Sequence, residues 1–539
     1  VYLAKKLVLA HFWVAFVAFF AAILLGEWQM FVRSPLSPWV NNPEHYYRSV
    51  TAHGTVMGYV LPTLVAMGFG YAISELSLKR PLAGMRWAWG GFWLVIVGTL
   101  MAALTTAAGK SSVLYTFYPP MIGSSFYYLG IVLVVVGSWI WVALMSVNLR
   151  LWRKENPGAT IPLAMFGNLA GAYLWAWTSV GAASEILLLI LPASSGLTDT
   201  INVGLARVLF SWTLHAIVYF WLMPAYIAFY TIFPRAIGGR LYSDTMGRVA
   251  FALFLVFSMP IGIHHLFADP QVGAGFKFVH AAMTAMVSVP TFLTVFTIVA
   301  SAEVVGRLRG GTGPLGWVKK LPWANPWMVA VTLAFIMLGF GGAGGIINMS
   351  YQMNESIHNT QWVTGHFHLI FAGAIVIMYF MVAYELWPQL CSCAALSSGL
   401  IKAQLWTWFV GMMILTMPWH LVGLLGAPRR MAYYDYTHPM LQPQAITVTM
   451  SAVGGLILVI SAALFLYILA TAKRQSAAPP VFEFSRAVHP GARPPAALNG
   501  LGLWVGMMIA LTVVNYGYPI VQLALTPEST VPIIPIGAR

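Results

Sequence analysis

The sequence predicts an all-α, polytopic membrane protein with about thirteen transmembrane helices. Three observations predict it. Of 539 residues, 59% are hydrophobic and only 8% are charged, against about 25% charged in soluble domains. Apolar runs of about 20 residues, the length that crosses ~30 Å of hydrocarbon, recur along the whole chain. The lysines and arginines cluster in the short stretches between those runs, mostly on alternate sides.

The apolar runs place spans at 8–31, 50–77, 87–107, 126–149, 162–192, 204–233, 249–268, 276–306, 325–347, 362–388, 403–425, 443–472 and 499–522. Proline, glycine and charge punctuate the joins, as in KRPLAGMR, RLWRKENPG, PRAIGGRLYSD and GRLRGGTGPLG. No cleavable signal is expected, because Val1 leads through AKK into a span-length apolar run. We expect one membrane domain over 1–539, with core helices over about 8–472 and an extra C-terminal helix at 499–522. The Ala- and Pro-rich linker between them, 473–498, is expected to be extended and poorly packed. No internal repeat is visible.

The net charge of +14 is explained by topology. With the N-terminus in the cytoplasm, 20 of the 28 Lys and Arg residues fall on the cytoplasmic side, as the rule for short loops requires. Some contact with anionic lipid is expected, and a nucleic-acid partner is not. The two cysteines, Cys391 and Cys393, lie in a predicted loop with no cluster around them for zinc or iron–sulfur, and read as incidental.

The thirteen histidines divide by position. His11, His45, His358, His420, His438 and His489 lie in or near span ends or loops, and His280 near the start of the eighth span. These seven read as wet or hydrogen-bonded groups, with His280 and His358 also candidates for a proton route. Six others fall within four spans. A buried imidazole in hydrocarbon is costly unless something binds it. His215 stands in SWTLHAIVYFWLMPAYIAFY, one helical turn before Tyr219 on the same face. His264 and His265 are adjacent in PIGIHHLFADP, about 100° apart if helical. They share one ion only if another helix closes the site, and His215 is the obvious third ligand. Three imidazoles without a thiolate suit copper, zinc or iron.

His53 lies in SVTAHGTVMGY, where Gly54 and Gly58 let a flat macrocycle approach the backbone. His366 and His368 lie in WVTGHFHLIFAG, on roughly opposite faces of a helix. One helix can thus serve two cofactors, and an axial histidine is a standard haem ligand. Singly, each of these also reads as a structural polar residue. Six together are hard to place without metal.

The residues HAIVY, IHHLFADP, TGHFHL and APRR, with His53 upstream, resemble the catalytic subunit I of a haem–copper terminal oxidase. VLYTFYPP at 113–120 and the VYFWLMPAY–YTIFP run are most similar to the B-type branch of cytochrome c oxidases. The resemblance extends to about residue 525, and thirteen helices suit that branch. It implies a fold enclosing two haems and a copper. His53 and His368 would be axial ligands of a low-spin haem, haem b by the resemblance. His366 would bind a high-spin haem of a- or o-type. His215, His264 and His265 would hold one copper ion, copper B. Tyr219 would be the tyrosine that the family joins covalently to the copper-ligand histidine. Arg429 and Arg430 would meet haem propionates, which guanidinium forks suit.

The implied reaction is reduction of O2 to water with electrons from cytochrome c, coupled to proton translocation. Four electrons are needed at once. Iron and copper supply three, and the phenol of Tyr219 supplies the fourth with its proton. Protons would arrive by a hydroxyl route of Tyr226, Tyr230, Thr291, Thr294 and Thr297. Ile217 stands where the other major branch carries a glutamate, which argues against a second, glutamate-gated path through this span. The chain lacks the ligands of a dinuclear copper centre, so a subunit II bearing that centre is expected to pass the electrons. The implied location is a prokaryotic inner membrane.

Two positions depart from the family pattern. Ala216 replaces the usual proline after the copper histidine, a change to the helix and not to the ligand set. Asn354 stands where B-type relatives can carry an acid, so no proton-loading carboxyl carries over there. Two rival functions remain. Nitric oxide reductases of the same superfamily generally lack the tyrosine and often recruit a glutamate, whereas Tyr219 is present and no acidic residue flanks His215, His264 or His265 before Asp269. A transporter with a structural metal would show a repeat around a midplane site, and none is found.

Overall fold

The protein is described by a computed structural model over residues 3–39, 42–473, 482–489 and 493–537. Its helices are α1 (Lys5–Arg33), α2 (Pro43–Leu78), α3 (Met85–Ala107), α4 (Ser125–Glu155), α5 (Leu163–Ser194) and α6 (Val203–Thr231). They continue with α7 (Asp244–Phe257), α8 (Ala274–Leu308), α9 (Pro326–Met349) and α10 (Gln361–Cys391). The last three are α11 (Ser398–Leu424), α12 (Gln442–Ala470) and α13 (Gly502–Ala524). Among the described residues, all but α7 are long and apolar enough to cross a membrane, twelve helices in total.

In hydrocarbon every backbone group must be satisfied within its own segment, so these runs become helices. Their ends follow local chemistry. Asn42, Asn202 and Asn325 each accept a hydrogen bond from a backbone N–H of the first turn, at 2.8–2.9 Å. Pro43 and Pro326 occupy the first helical position, where no N–H is needed. Glycines let helices touch. A Cβ on Gly98 would lie 2.3 Å from the carbonyl oxygen of Gly130, and one on Gly137 2.6 Å from that of Gly91. The α3–α4 pair therefore packs backbone to backbone, as small residues permit in membranes.

The expected span at 249–268 is corrected. α7 stops at Phe257, and Gly262–Leu266 forms a 3-10 turn carrying both histidines. The SMPIG sequence explains the stop. Pro260 has no N–H for a helix to use, and a Cβ on Gly262 would lie 1.8 Å from the carbonyl oxygen of Ser211. The segment still crosses. Fourteen α residues rise about 21 Å, and five 3-10 residues add about 10 Å. Strand pairing agrees. Thr530–Pro532, beyond α13, pairs antiparallel with Thr200–Asn202, between α5 and α6. The tail and that loop share a side only if α6 to α13 make an even number of crossings. Gly262→Ala is expected to destabilise the protein by about 1–3 kcal/mol, read as earlier heat denaturation in detergent, since neither backbone can yield.

Burial sorts the bundle. Of the most apolar stretches, 89% of α2, 83% of α10 and 72% of α6 are buried, against 33% for α3 and α8 and 28% for α13. The three inner helices are those carrying His53, His366, His368 and His215. The linker is partly corrected. Within the described stretch 482–489, Ser485 N–H donates to the Thr231 carbonyl at 2.6 Å and Leu241 N–H to that of Arg486 at 2.9 Å. Phe482 is buried beneath the guanidinium of Arg235. This part is packed because it covers the loop after α6. Residues 474–481 and 490–492 of the linker lie outside the described residues, as do Val1 and the charges of Arg474 and Arg539.

Candidate metal centre and the cavity beside it

The structure brings His215, His264 and His265 together. One ring nitrogen from each lies within 4.8 Å of the others. His215 Nδ1 faces His265 Nε2 at 2.9 Å, and the His264 and His265 ring centres are 4.2 Å apart. α6 breaks for one residue at His215, between helical stretches Val203–Leu214 and Ala216–Thr231. The break is present with Ala216 in place of proline. His264 and His265 differ from the expected α-helical pair: a 3-10 turn separates neighbours by about 120°.

Hydrogen bonds fix which nitrogen His264 offers. The hydroxyl proton of Thr284 goes to the His280 carbonyl at 2.6 Å. Its oxygen therefore accepts from His264 Nδ1–H at 2.9 Å, leaving His264 Nε2 bare. His280 Nδ1 in turn accepts the backbone N–H of Ile263 at 3.2 Å and steadies the turn. This shell lies on α8, the next helix along the chain, and the sequence reading missed it for Thr284. Outer partners of this kind are worth about 10–100-fold in metal affinity. Thr284→Val is expected to weaken metal retention at the triad by about that factor, measured as metal content after dialysis against a chelator.

The hydroxyl of Tyr219 lies 3.2 Å from His215 Nε2, the nitrogen turned away from the triad. Beyond it, Tyr226 and Thr291 hydroxyls meet at 3.1 Å, and Tyr230 donates to Thr294 at 3.0 Å. These are two separate rungs between α6 and α8. Thr297 is buried and donates to the Leu293 carbonyl.

His53 and His368 face each other across a cavity that both line. Their rings lie near parallel, 13° apart, with centres separated by 6.3 Å. Two metal–imidazole bonds of about 2 Å each, plus about 1 Å from each nitrogen to its ring centre, make roughly 6 Å. Nδ1–H of His53 donates to the Ala22 carbonyl at 2.7 Å, and that of His368 to Thr364 at 2.9 Å. Carbonyls only accept, so each Nε2 is left as a lone pair. A Cβ on Gly26 would sit 3.0 Å from the His53 ring. Gly54 and Gly58 line the same cavity, though Gly54 gives its space to the Tyr115 ring, 2.8 Å from a built Cβ.

His366 points to the other side of α10. It donates from Nδ1 to the Gly341 carbonyl at 2.9 Å and stacks on Trp362, again leaving Nε2 bare. After Phe367 the helix widens into a π segment, His368–Ile375, a feature frequent at functional sites.

Arg429 and Arg430 line the cavity. Gln361 N–H donates to the Ala427 carbonyl at 2.8 Å and Arg429 N–H to that of Asn359 at 3.0 Å, strapping the loop to the start of α10. Among the described residues neither arginine pairs with a carboxylate. Burial, then the charge of Arg430, hold Arg429 down to about 10, so an external anion is favoured there. Arg33 and Glu27, also in this cavity, were missed because only the approach of α1 reveals them. Asn354 is used structurally: it donates to the Asn348 carbonyl at 2.8 Å and its side-chain oxygen lies 3.0 Å from His358 Nδ1. Cys393 is buried against the Trp387 carbonyl.

The family described as Cytochrome C and Quinol oxidase polypeptide I matches residues 6–457. The chain belongs to that family. It is 36% identical to the cytochrome c oxidase subunit 1 of Thermus thermophilus, over 97% of this chain and 95% of the relative. The cytochrome c oxidase subunit 1 of Synechocystis is 24% identical over 74% of this chain and 72% of its own. A cryo-EM structure of a heme-copper terminal oxidase dimer superimposes with a TM-score of 0.93 at 33% identity, covering all of this chain and 97% of that one. This oxidase subunit belongs to a family that implies haem and copper, and the donor set described above fits both: bare imidazole nitrogens, a facing imidazole pair and two guanidinium groups that, among the described residues, have no carboxylate partner.

Proposed function

We propose that this chain is the oxygen-reducing subunit of a terminal oxidase of the cytochrome c type. The observation that carries the reading is the Tyr219 hydroxyl, 3.2 Å from the outward nitrogen of His215, whose other nitrogen faces the triad. Under this reading His215, His264 and His265 hold one copper, and His366 holds a high-spin haem of a- or o-type. His53 and His368 hold a low-spin haem b, with Arg429 and Arg430 on propionates. Haem iron and copper, when bound, supply the oxygen affinity and three of the four electrons.

The protein's own groups do the rest. Tyr219 holds a hydroxyl proton and an electron within reach of the copper ligand. Thr284 keeps His264 Nε2 turned inward. Tyr226 with Thr291 and Tyr230 with Thr294 carry protons toward Tyr219, with water joining the rungs. The buried apolar walls of α2, α6 and α10 exclude bulk water, so protons travel only along such hydroxyls. The route starts on the side where α1 begins, the cytoplasmic side by the Lys and Arg distribution. Electrons reach the low-spin haem from cytochrome c through a subunit II with a dinuclear copper centre, and protons are moved across a prokaryotic inner membrane. The whole chain acts as one membrane domain.

The test of cofactor content is direct. The purified complex is expected to show a Soret band and to yield, on extraction and metal analysis, two haems for each copper of this chain. A complex with no Soret band would remove haem from the account.

A further inference from the structure

Glu185 lies on α5, wholly buried, and among the described residues neither of its carboxyl oxygens has a hydrogen-bond partner. Few residues are so costly to place inside a membrane without a use. A charged carboxylate left unpaired there is far costlier than a neutral acid, so the neutral acid is the resting form.

Its position is set by its helical neighbours. Gly181 and Ala182 precede it by four and three residues and share its face. Ala182 N–H donates to the hydroxyl of Thr213 at 2.8 Å, and that hydroxyl donates to the Thr178 carbonyl at 2.7 Å. Thr213 is two residues before the metal-triad histidine His215. A Cβ on Gly181 would lie 2.7 Å from the Leu209 carbonyl oxygen, so this face of α5 abuts α6 directly. α5 and α6 run antiparallel, which puts Glu185 one turn beyond Thr213, toward the surface where α6 begins. Directly after Glu185, α5 widens into a π segment, Ile186–Ile190. Tyr59 of α2, Tyr128 of α4 and Tyr118 of the 113–120 loop are the titratable groups close enough to interact with its charge. Arg207, farther out on α6, is paired with Asp269 at 2.9 Å and lies over the Tyr118 ring.

We propose that Glu185 is a proton-holding site between the histidine triad and the surface at which α6 begins. The inference rests on the oxidase reading and extends it. α6 itself has Ile217 two residues after His215, and α5 supplies the acid instead. The step is an acid–base exchange alone. The carboxyl O–H bond breaks and its proton leaves on water toward the Tyr118 side. The carboxylate is then protonated again by a hydronium ion arriving on the Thr213 side, which is left as water.

The test is redox-difference infrared spectroscopy of the intact complex in H2O and D2O, with proton ejection per oxygen consumed in vesicles, for the parent, Glu185→Gln and Glu185→Asp. A carboxyl C=O signal that changes on reduction and shifts in D2O is expected in the parent. In Glu185→Gln that signal is lost and ejection per oxygen falls at least twofold. In Glu185→Asp the signal remains at a shifted position, which keeps the test open if the glutamine variant does not assemble. Identical carboxyl signals in the parent and in whichever variants assemble, or unchanged ejection in a metal-loaded Glu185→Gln, overturns the proposal. A parent that consumes no oxygen fails the oxidase reading instead, while the infrared comparison still decides Glu185.

Discussion

Tyr219→Phe is expected to lower oxygen consumption by at least about 100-fold while haem and copper stay bound. The substitution removes one oxygen atom, the hydroxyl 3.2 Å from His215 Nε2. It leaves the contacts that orient the triad: His215 Nδ1 on His265, His264 on Thr284, and Ile263 N–H on His280. The ring still packs on Phe254, 5.7 Å away between centres, so folding is retained. A hydroxyl that served packing alone would cost roughly 1 kcal/mol in stability and nothing in turnover. Oxygen uptake and metal content measured on the same sample separate the two.

His368→Leu is expected to abolish the low-spin haem signal, with oxygen turnover falling by more than the roughly 10–100-fold that follows loss of a ligand's outer partner. Leucine fills similar space beside Trp419, which packs edge-on to the imidazole at 5.0 Å. The bare Nε2 of His53 then faces an apolar side chain across the cavity. Because His366 points to the opposite side of α10, the triad side should keep its copper and high-spin haem. The visible spectrum of the reduced protein checks this: the low-spin band disappears and the high-spin band remains. Loss of both haems together would mean that the two sides of α10 are not independent.

These effects were largely legible in the sequence because they depend on local spacing. A run of about 20 apolar residues forces a helix in lipid, so most span boundaries fell within a few residues of the helices. His215 and Tyr219, one turn apart, had to share a face, and His366 and His368, two residues apart, had to diverge. What was missed depends on contacts between distant segments. Thr284 looks like any helix threonine until α8 sets it 2.9 Å from His264. Arg33 and Glu27 read as the end of a span until α1 closes one wall of the His53–His368 cavity.

The early stop of α7 is a different case. Pro260 and Gly262 were visible breakers, and the apolar run through them hid the change from α-helix to 3-10 turn. The packing of 482–489 against the loop after α6 was hidden for a related reason. Composition rich in Ala and Pro says nothing about which partner a strand-like segment meets.

The central claim is that the histidine triad and Tyr219 reduce oxygen. The most direct measurement is gas consumption by the purified complex with reduced cytochrome c, at known haem and copper content, with oxygen and with nitric oxide supplied separately. The account predicts rapid oxygen uptake and little use of nitric oxide. Negligible oxygen uptake by a fully metallated complex that turns over nitric oxide would contradict it.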